Sequence, residues 1–354
     1  MSIFYKKIFI FFVFLNASSL FAQAKKATKT PALDITSSID SFLVSRQLRP
    51  FHGVVLISQG GKTVYSTARN AAEIGEKIKL KRNSQFVIGS LSKQITAVLV
   101  LREAEKGTLN LSKTVKTYLP TCAETWADSV RLYQLLNHTS GIAGFGKPLA
   151  FQAGSRFLYS GTAYGLLGQI LEAVTKQSYT HLVQQLFKEC GMNRSCAPVL
   201  GREKVVAAYS KQPDGTIRRE TESFENNFTA AGLLISTADD LVRWNERLHG
   251  GKLLRDTSYR RMTTGSSVRN HPLFGEIPYG YGVQMDPRDG LYEIGHGGYV
   301  LGYVCINFYY PKTKTSLVVL ESLDWKDASF KRSYLFETGI RALLRHVLIE
   351  KTQN

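Results

Sequence analysis

The stretch Ser90-Leu-Ser-Lys93 lies at the start of a long run of apolar residues. A lysine three residues after a serine lies on the same helical face, about one turn away, so its amine can reach the serine hydroxyl. The residues from Ile95 to Leu101 are apolar nearly all round, which predicts a buried helix, and Gly107 is a typical helix end.

This pattern indicates an acyl-transfer site. A serine hydroxyl is a weak nucleophile at neutral pH until a neighbouring base takes its proton, and Lys93 is placed to do so. Backbone N–H groups at the start of the helix would lie beside Ser90, where they can stabilise a developing oxyanion. Taken alone, the pattern also fits an N-cap serine followed by a solvated lysine.

The N-terminus has the pattern of a secretory signal peptide. Two lysines precede the apolar run Ile8–Leu15, small residues follow, and the run is short for a membrane span. We expect residues 1–24 to be the signal peptide, with cleavage after Ala24. Cleavage after Ala22 and retention as an N-terminal anchor are the alternatives. The mature protein would then be periplasmic or secreted, without a stable membrane span.

The formal net charge of the full chain is +17 at pH 7, of which Lys6 and Lys7 would be lost with the signal peptide. The remaining basic residues are scattered and form no stripe interleaved with aromatic side chains, which argues against nucleic acid as a partner. For an exported protein, this charge predicts attraction to anionic polymers of the cell envelope.

The four cysteines leave two alternatives open. Cys190 and Cys196 flank a short loop and could form a disulfide in an oxidising compartment, or all four cysteines could be free and partly buried. No cysteine pair has the spacing of a zinc site, and the seven histidines form no ligand cluster. We therefore expect neither a metal nor another cofactor.

Extended segments at both ends of the chain bracket a mostly helical middle. Val54–Ser58 and Thr63–Thr67 are joined by a glycine-containing turn, and Gly302–Tyr310 and Thr315–Leu323 lie near the C-terminus. The simplest packing is an α+β fold, in which one antiparallel sheet is flanked by terminal helices and adjoins a mostly helical lobe. The expected organisation is a tail at 25–31 and a single domain at 32–354, with its sheet region at about 32–108 and 250–354 and its helical lobe at about 109–249.

Four motifs occur in order and at suitable separations. They are Phe86-Val-Ile-Gly-Ser-Leu-Ser-Lys93, Leu135-Leu-Asn-His-Thr-Ser-Gly141, Tyr159-Ser-Gly161 and His296-Gly-Gly298. Together they resemble the serine β-lactamase-like superfamily, on the branch that contains class C β-lactamases, D-alanyl-D-alanine carboxypeptidases and related esterases. The resemblance covers essentially the whole mature chain and implies a β-lactamase/transpeptidase-like fold.

The resemblance also implies a role for each motif. Ser90 would be the acylated nucleophile, Lys93 would assist its deprotonation, and Tyr159 would be the second proton-transfer residue, which later activates the deacylating water. The backbone N–H groups of Ser90 and Tyr299 would form the oxyanion hole. The substrate-binding positions would be His296, Gly297, Gly298 and Gly161.

The sequence departs from this family at two of those positions. Many relatives have Tyr-x-Asn where this chain has Gly161, and penicillin-recognising relatives often have Lys-Thr-Gly or His-Thr-Gly where it has His296-Gly-Gly298. Because His296 is expected to be only partly charged at neutral pH, this strand lacks both a full cation and a hydroxyl for a substrate carboxylate. His138 could be taken as a catalytic partner of Ser90, but the resemblance implies a structural role for it.

These features predict an exported serine hydrolase that cleaves a small-molecule or peptide substrate through an acyl-enzyme on Ser90. A peptidase or amidase acting on D-amino-acid or cell-wall peptides and a small-ester hydrolase are the principal alternatives, and a true β-lactamase is the third. A non-catalytic envelope-binding protein is the alternative of another class. Two predicted loops, Phe145–Phe157 and Asn270–Tyr281, are expected to border the site.

Overall fold

The computed structural model describes residues 34–45, 49–75, 78–200, 204–221, 228–300, 302–325 and 330–353. The predicted signal peptide (1–24) and tail (25–31) lie outside the described residues. From Ile35 onward the chain forms one compact unit, and none of its described helices is long and apolar enough to cross a membrane.

The secondary structure of this unit is mixed. The strands are β1 (Gly53–Gln59), β2 (Lys62–Arg69), β3 (Phe86–Val87), β4 (Tyr209–Lys211), β5 (Ile217–Arg219), β6 (Ile235–Ser236), β7 (Ser267–His271), β8 (Gly275–Tyr279), β9 (Gln284–Asp286), β10 (Glu293–Val300), β11 (Tyr303–Tyr310), β12 (Thr315–Glu321) and β13 (Leu323–Trp325). The helices are α1 (Ile35–Val44), α2 (Ser92–Lys106), α3 (Val115–Tyr118), α4 (Leu132–Leu136), α5 (Gly161–Thr175), α6 (Tyr179–Cys190), α7 (Ala238–His249), α8 (Asp256–Thr263), α9 (Phe330–Ser333) and α10 (Leu335–Gln353).

An eight-stranded antiparallel sheet, in the order β2-β1-β12-β11-β10-β9-β8-β7, is the centre of the fold. One pair of its strands joins the two ends of the chain, because β1 pairs with β12 so that Val55 lies opposite Val319. The predicted α+β class, with a sheet built from both ends, is confirmed. Alternate residues of these strands enter two hydrophobic cores, one on each face of the sheet, as the two-residue period of a strand requires.

The terminal helices cover one face of the sheet. Ile39 of α1 and Phe336, Ile340 and Leu344 of α10 belong to the same core as the outward residues of β1, β11 and β12. Fully burying each such side chain contributes about 1.5–3 kcal/mol. The other face packs against the helical lobe, whose central element is α2.

Helix α2 has the character predicted from its sequence. All of its residues from Ser92 to Leu101 are buried, and the helix ends at Gly107, whose φ of 81° gives the left-handed conformation that glycine adopts without strain. It begins at Ser92 rather than at Ser90. A 3-10 turn at Gly89–Leu91 precedes it and carries the serine.

Two parts of the fold differ from expectation. The middle of the chain is less helical than predicted, because much of Asn137–Ser160 forms turns and irregular backbone that includes three glycines with positive φ. The segment Asn270–Tyr281, predicted as a loop, belongs to the β7–β8 hairpin at the sheet edge, where Ser267 pairs with Tyr279. Strand β7 lies at the edge of the sheet, and its outer side has no partner among the described strands. Edge strands often carry polar residues, so the sequence of β7 lacks the apolar pattern by which a strand is predicted.

Candidate active site

Ser90 and Lys93 are in hydrogen-bond contact at the start of α2. The Nζ atom of Lys93 lies 3.0 Å from Ser90 Oγ and donates a second hydrogen bond, of 2.6 Å, to the carbonyl oxygen of Ala231. The lysine residue is only 2% exposed. The structure therefore brings together the nucleophile and base candidates that the sequence spacing predicts.

The acceptor at Ala231 belongs to a π-helical turn, Thr229–Leu233, that packs against α2. The carbonyl oxygen of its neighbour Ala230 accepts a 2.6 Å hydrogen bond from Thr96 Oγ1, one turn of α2 further on. Single π-helical turns are frequent at functional sites. Nothing in the sequence marks Ala231 as an acceptor, because a backbone carbonyl carries no side-chain signal.

Burial lowers the pKa of Lys93, since removal from water disfavours the charged ammonium. The neighbouring Tyr159 opposes this shift, and the positive charge of Arg269 adds to it. Both hydrogen-bond partners of Lys93 are neutral oxygens. The environment thus favours a neutral amine, whose lone pair can take the proton of Ser90.

Tyr159 lies against this pair just before α5. Its ring centroid is 4.8 Å from Lys93 Nζ and 4.5 Å from the guanidinium carbon of Arg269. The Tyr159 hydroxyl is buried and has no hydrogen-bond partner in the described part of the chain. Leaving a buried hydroxyl without a hydrogen bond costs about 1–3 kcal/mol. A hydrogen bond from the Tyr159 hydroxyl to a substrate or a water molecule would therefore be favourable.

His138 holds the segment that carries Tyr159. It adopts a φ of 60°, and its carbonyl oxygen and Nδ1 accept hydrogen bonds from the backbone of Leu158 and Ser160 at 2.8 and 3.2 Å. Burial lowers the pKa of His138 well below its ordinary value, so the ring is neutral. These contacts agree with the structural role expected for this residue.

The strand β10 runs beside Ser90, and part of one edge of the strand is unpaired among the described residues. Strand β9 pairs only with Glu293–Gly295, so among the described strands the segment from His296 to Val300 has β11 as its single partner. The 3-10 turn that carries Ser90 packs against this segment. An extended substrate backbone could therefore lie along the free edge.

Two glycines allow this close approach. A Cβ atom on Gly298 would lie 2.3 Å from the carbonyl oxygen of Ile88 and 3.3 Å from the backbone nitrogen of Ser90. A Cβ atom on Gly89 would lie 2.7 Å from the backbone nitrogen of Tyr299. The two predicted oxyanion-hole nitrogens, of Ser90 and Tyr299, are thus brought to the same junction between β10 and the turn.

His296 differs from expectation in its charge. It is 1% exposed, and its Nε2 accepts a 3.0 Å hydrogen bond from the Tyr279 hydroxyl. Burial, followed by the charges of Arg269 and Lys93, lowers the pKa of His296 well below its ordinary value. The expectation of partial charge at neutral pH is wrong, because this ring is uncharged there.

The other two predicted substrate positions border aromatic side chains. A Cβ atom on Gly297 would lie 3.7 Å from the hydroxyl of Tyr334, and one on Gly161 would lie 3.4 Å from Cε1 of Phe228. Neither aromatic residue was predicted to reach the site. They are single members of large sets, 17 tyrosines and 19 phenylalanines, and no local pattern distinguishes them.

The cysteines take no part in this site. None of the four forms a disulfide, and Cys190 and Cys196, which could have paired with each other, are buried thiols. Burial raises the pKa of Cys190 to about 11, which keeps it protonated and unreactive. Within the described residues, no group of three or more histidine, cysteine, aspartate or glutamate side chains could hold a metal ion.

Comparison with known sequences identifies relatives along most of the chain. A family model described as Beta-lactamase matches residues 46–336. Penicillin-binding protein 4* of Bacillus subtilis (strain 168) is 27% identical over 330 residues, which cover 80% of this chain and 71% of that protein.

Solved structures share the fold. The D-amino acid amidase from Ochrobactrum anthropi SV3, complexed with L-phenylalanine amide, has a TM-score of 0.76 at 21% identity, covering 91% of this chain and 100% of that one. The octameric penicillin-binding protein homologue from Pyrococcus abyssi has a TM-score of 0.74 at 24% identity, covering 88% of this chain and 78% of that one.

Proposed function

Because the chain belongs to the Beta-lactamase family and is a β-lactamase-related serine hydrolase, we propose that it cleaves an amide or ester through an acyl-enzyme formed on Ser90. We place first a peptidase or amidase that acts on D-amino-acid or cell-wall peptides. The observation that carries the proposal is the 3.0 Å contact between Lys93 Nζ and Ser90 Oγ, beside the Tyr159 ring. The names of similar proteins, a D-amino acid amidase and penicillin-binding proteins, support this class of substrate.

Acylation follows from the positions of these groups. The neutral amine of Lys93 takes the proton of Ser90 as Oγ attacks the substrate carbonyl carbon. The backbone N–H groups of Ser90 and Tyr299 hold the oxygen that becomes negative. Tyr159, next to Lys93, passes a proton to the leaving amine or alcohol, and the bond between that group and the carbonyl carbon breaks.

Deacylation reverses this proton path. A water molecule gives a proton to Tyr159 and attacks the acyl carbon, the ester bond to Ser90 breaks, and Lys93 returns a proton to the serine oxygen. General acid–base catalysis of this kind contributes typically about 10²–10⁴-fold in rate, and each oxyanion donor about 10²–10³-fold.

A small-ester hydrolase is the second candidate, and one observation favours it. At position 161, where many relatives have the asparagine of Tyr-x-Asn, this chain has glycine, and the ring of Phe228 lies beside it. An apolar wall without a side-chain amide suits an apolar acyl group better than a peptide.

A true β-lactamase ranks third, because neither His296 nor Gly297 supplies a charge or a hydroxyl. Membership of a family of hydrolases leaves little support for a non-catalytic envelope-binding protein.

We also propose that the protein is exported and acts in the periplasm or outside the cell. The support is the sequence pattern of residues 1–24 and the net charge of +17, which suits an environment of anionic envelope polymers. N-terminal sequencing of the protein recovered from cell fractions tests this. A mature chain beginning after Ala24 in the exported fraction is expected, and an intact N-terminus in the cytoplasmic fraction would contradict export.

Labelling and turnover together test the proposed activity. The mature protein and a Ser90→Ala variant are treated with a serine-directed phosphonate and analysed by intact mass, with exposed Ser112→Ala as the matched control. Turnover of D-alanyl-D-alanine peptides, D-phenylalanine amide, p-nitrophenyl esters and benzylpenicillin is then measured. One adduct that requires Ser90, with turnover of the D-amino-acid compounds, is expected. Turnover of the esters alone would favour the second candidate, and a folded protein that takes no label would refute the proposal.

A further inference from the structure

A cavity of about 310 Å³ lies between α5, the start of α6 and the π-helical turn Thr229–Leu233. Neither Ser90 nor Lys93 nor Tyr159 is among the described residues that line it. Volumes of about 300–1,000 Å³ are typical of sites that bind small molecules. The cavity is therefore a candidate binding site separate from the proposed active site.

Four polar side chains line this cavity in addition to Tyr179, namely Gln169, Glu172, Thr180 and Thr229. One carboxylate oxygen of Glu172, Oε1, accepts a 2.7 Å hydrogen bond from the backbone N–H of Tyr179. The other oxygen has no hydrogen bond or ion pair within the described residues, although Lys176 follows one helical turn later. No basic side chain belongs to the described lining, so Glu172 is a carboxylate that lacks a counter-ion from this part of the chain.

The π-helical turn connects this cavity with the proposed catalytic pair. Ala230 lines the cavity, whereas the carbonyl oxygen of the next residue, Ala231, accepts the 2.6 Å hydrogen bond from Lys93. A Cβ atom on Gly232 would lie 3.9 Å from the backbone nitrogen of Ser90. Consecutive residues of one turn therefore contact the cavity, the proposed base and the proposed nucleophile.

Two neighbouring helices pack against the same turn. Tyr179 of α6 lines the cavity and is 6% exposed, and its hydroxyl lies 2.7 Å from Thr96 Oγ1. The Thr96 hydroxyl in turn donates the 2.6 Å hydrogen bond to the carbonyl oxygen of Ala230. A Cβ atom on Gly168 of α5 would lie only 2.9 Å from the Cβ atom of Ala230. A molecule that fills the cavity would therefore contact the turn directly and restrict its movement.

We propose that this cavity binds a small primary amine in its ammonium form, with Glu172 as the counter-ion, and that the bound amine increases the reactivity of Ser90. The binding site is independent of the proposed function, whereas its effect on Ser90 rests on that function. An ammonium group has three donors, which match the Glu172 carboxylate and the oxygens of the other polar side chains. Pro198 and Val199 offer contacts for an apolar body. Because a carbonyl of the turn positions the Lys93 amine, a turn that moves less holds the base at Ser90 more of the time.

Isothermal titration calorimetry of the whole protein tests the binding site, with benzylamine as the probe and benzyl alcohol as its neutral analogue. We expect Glu172→Gln to weaken benzylamine binding roughly 10-fold, because a hydrogen bond to a charged group is lost. Glu105→Gln is the matched control, since Glu105 also accepts one backbone hydrogen bond, of 2.8 Å from Arg255, and does not line the cavity. Urea unfolding shows that both variants are folded. Equal affinity of the wild type for the amine and the alcohol, or of wild type and Glu172→Gln for the amine, would overturn the site.

The effect on Ser90 is measured as the rate of phosphonate labelling, since this step forms no acyl-enzyme that an amine could attack. Saturating benzylamine should raise the labelling rate about 5–10-fold in the wild type and in Glu105→Gln, which is at the lower end of typical coupling between two sites. At the same benzylamine concentration, Glu172→Gln should show a much smaller increase.

The two measurements separate the possible failures. Binding that depends on Glu172, with an unchanged labelling rate, would overturn the effect on Ser90 while the binding site stands. A folded protein that takes no label at Ser90 would refute the proposed function, and with it the effect on Ser90. The calorimetric comparison of the amine with the alcohol would still decide on the binding site, because it requires no catalysis.

Discussion

The rings of His138 and Tyr159 lie with their centroids 4.4 Å apart, and hydrogen bonds from both chain neighbours of Tyr159 end on His138. One of those bonds uses the Nδ1 atom of His138 as an acceptor, which requires a neutral ring. The histidine thus fixes the backbone on both sides of Tyr159, the proposed proton-transfer residue.

Replacement of His138 should therefore lower kcat more than it raises KM. His138→Asn tolerates the positive φ but removes the ring that supports Tyr159. We expect a fall of about 10–100-fold in kcat, since misplacement of a reacting group by about 1 Å has an effect of that order. Steady-state kinetics check this, with urea unfolding to show that the variant is folded. An unchanged kcat would mean that Tyr159 is held without His138.

The rate of acylation should depend on the protonation of Lys93. Because burial lowers its pKa from 10.5, kcat/KM should rise with pH and level off below pH 10.5, where the amine has become neutral. Arg269 contributes to that lowering, so Arg269→Gln should move the rising limb to higher pH. The profile is measured with a p-nitrophenyl ester. If kcat/KM of Arg269→Gln rises at the same pH as that of the wild type, a group other than Lys93 controls the profile.

Gly298 should tolerate no larger residue. The Cβ atom of Gly298→Ala would lie 2.3 Å from the Ile88 carbonyl oxygen, so β10 must move away from the turn that carries Ser90. Loss of one oxyanion donor predicts a fall of about 10²–10³-fold in kcat. Gly144→Ala, where the nearest atom would be 3.9 Å away, is the control. Wild-type activity of Gly298→Ala would contradict this account of the oxyanion hole.

A buried acidic pair should make stability depend on pH. Glu321 is paired with Arg49 at 2.5 Å, but both carboxylate oxygens of the adjacent Glu337 are buried without a hydrogen-bond partner in the described chain. Burial, followed by the charge of Glu321, raises the pKa of Glu337 well above 4.5. The folded state therefore binds a proton that the unfolded state releases, and stability falls as pH rises above about 4.5.

Glu337→Gln removes this dependence. The variant should gain free energy of unfolding relative to the wild type at pH 8 but not at pH 4, because the wild-type carboxyl is protonated in both states at the lower pH. Urea unfolding at the two pH values measures the difference. An equal effect of the substitution at both pH values would show that Glu337 is not protonated on folding.

The sequence predicted the helices and hairpins that depend only on residues close together in the chain. The apolar residues of α2, its end at Gly107 and the β1–β2 hairpin follow from periodicity and glycine placement, and all three are observed. The contact between Ser90 and Lys93 needs only one turn of helix, so the spacing of the two residues was sufficient to predict it. The sites of Tyr159 and Tyr299 came from the family resemblance, since nothing local distinguishes them.

The remaining parts of the site depend on contacts between distant segments. Arg269 reaches Tyr159 from a polar edge strand, and Tyr334 reaches Gly297 from the residue before the last helix. A single sequence does not indicate which distant segments come into contact in the folded protein. The charge of His296 was mistaken for the same reason, because its pKa depends on burial that only the assembled fold creates.

The pairing of β1 with β12 has a consequence for when activity can arise. During synthesis, β1 and helix α2 emerge long before β10 and β12, and one edge of β1 has no partner until β12 is made. The oxyanion junction also needs β10 against the turn of Ser90. We expect a nascent or truncated chain that ends before β12 to be inactive, and its unpaired strand edge should make it prone to aggregation. Activity should therefore arise only after the C-terminal strands have completed the sheet.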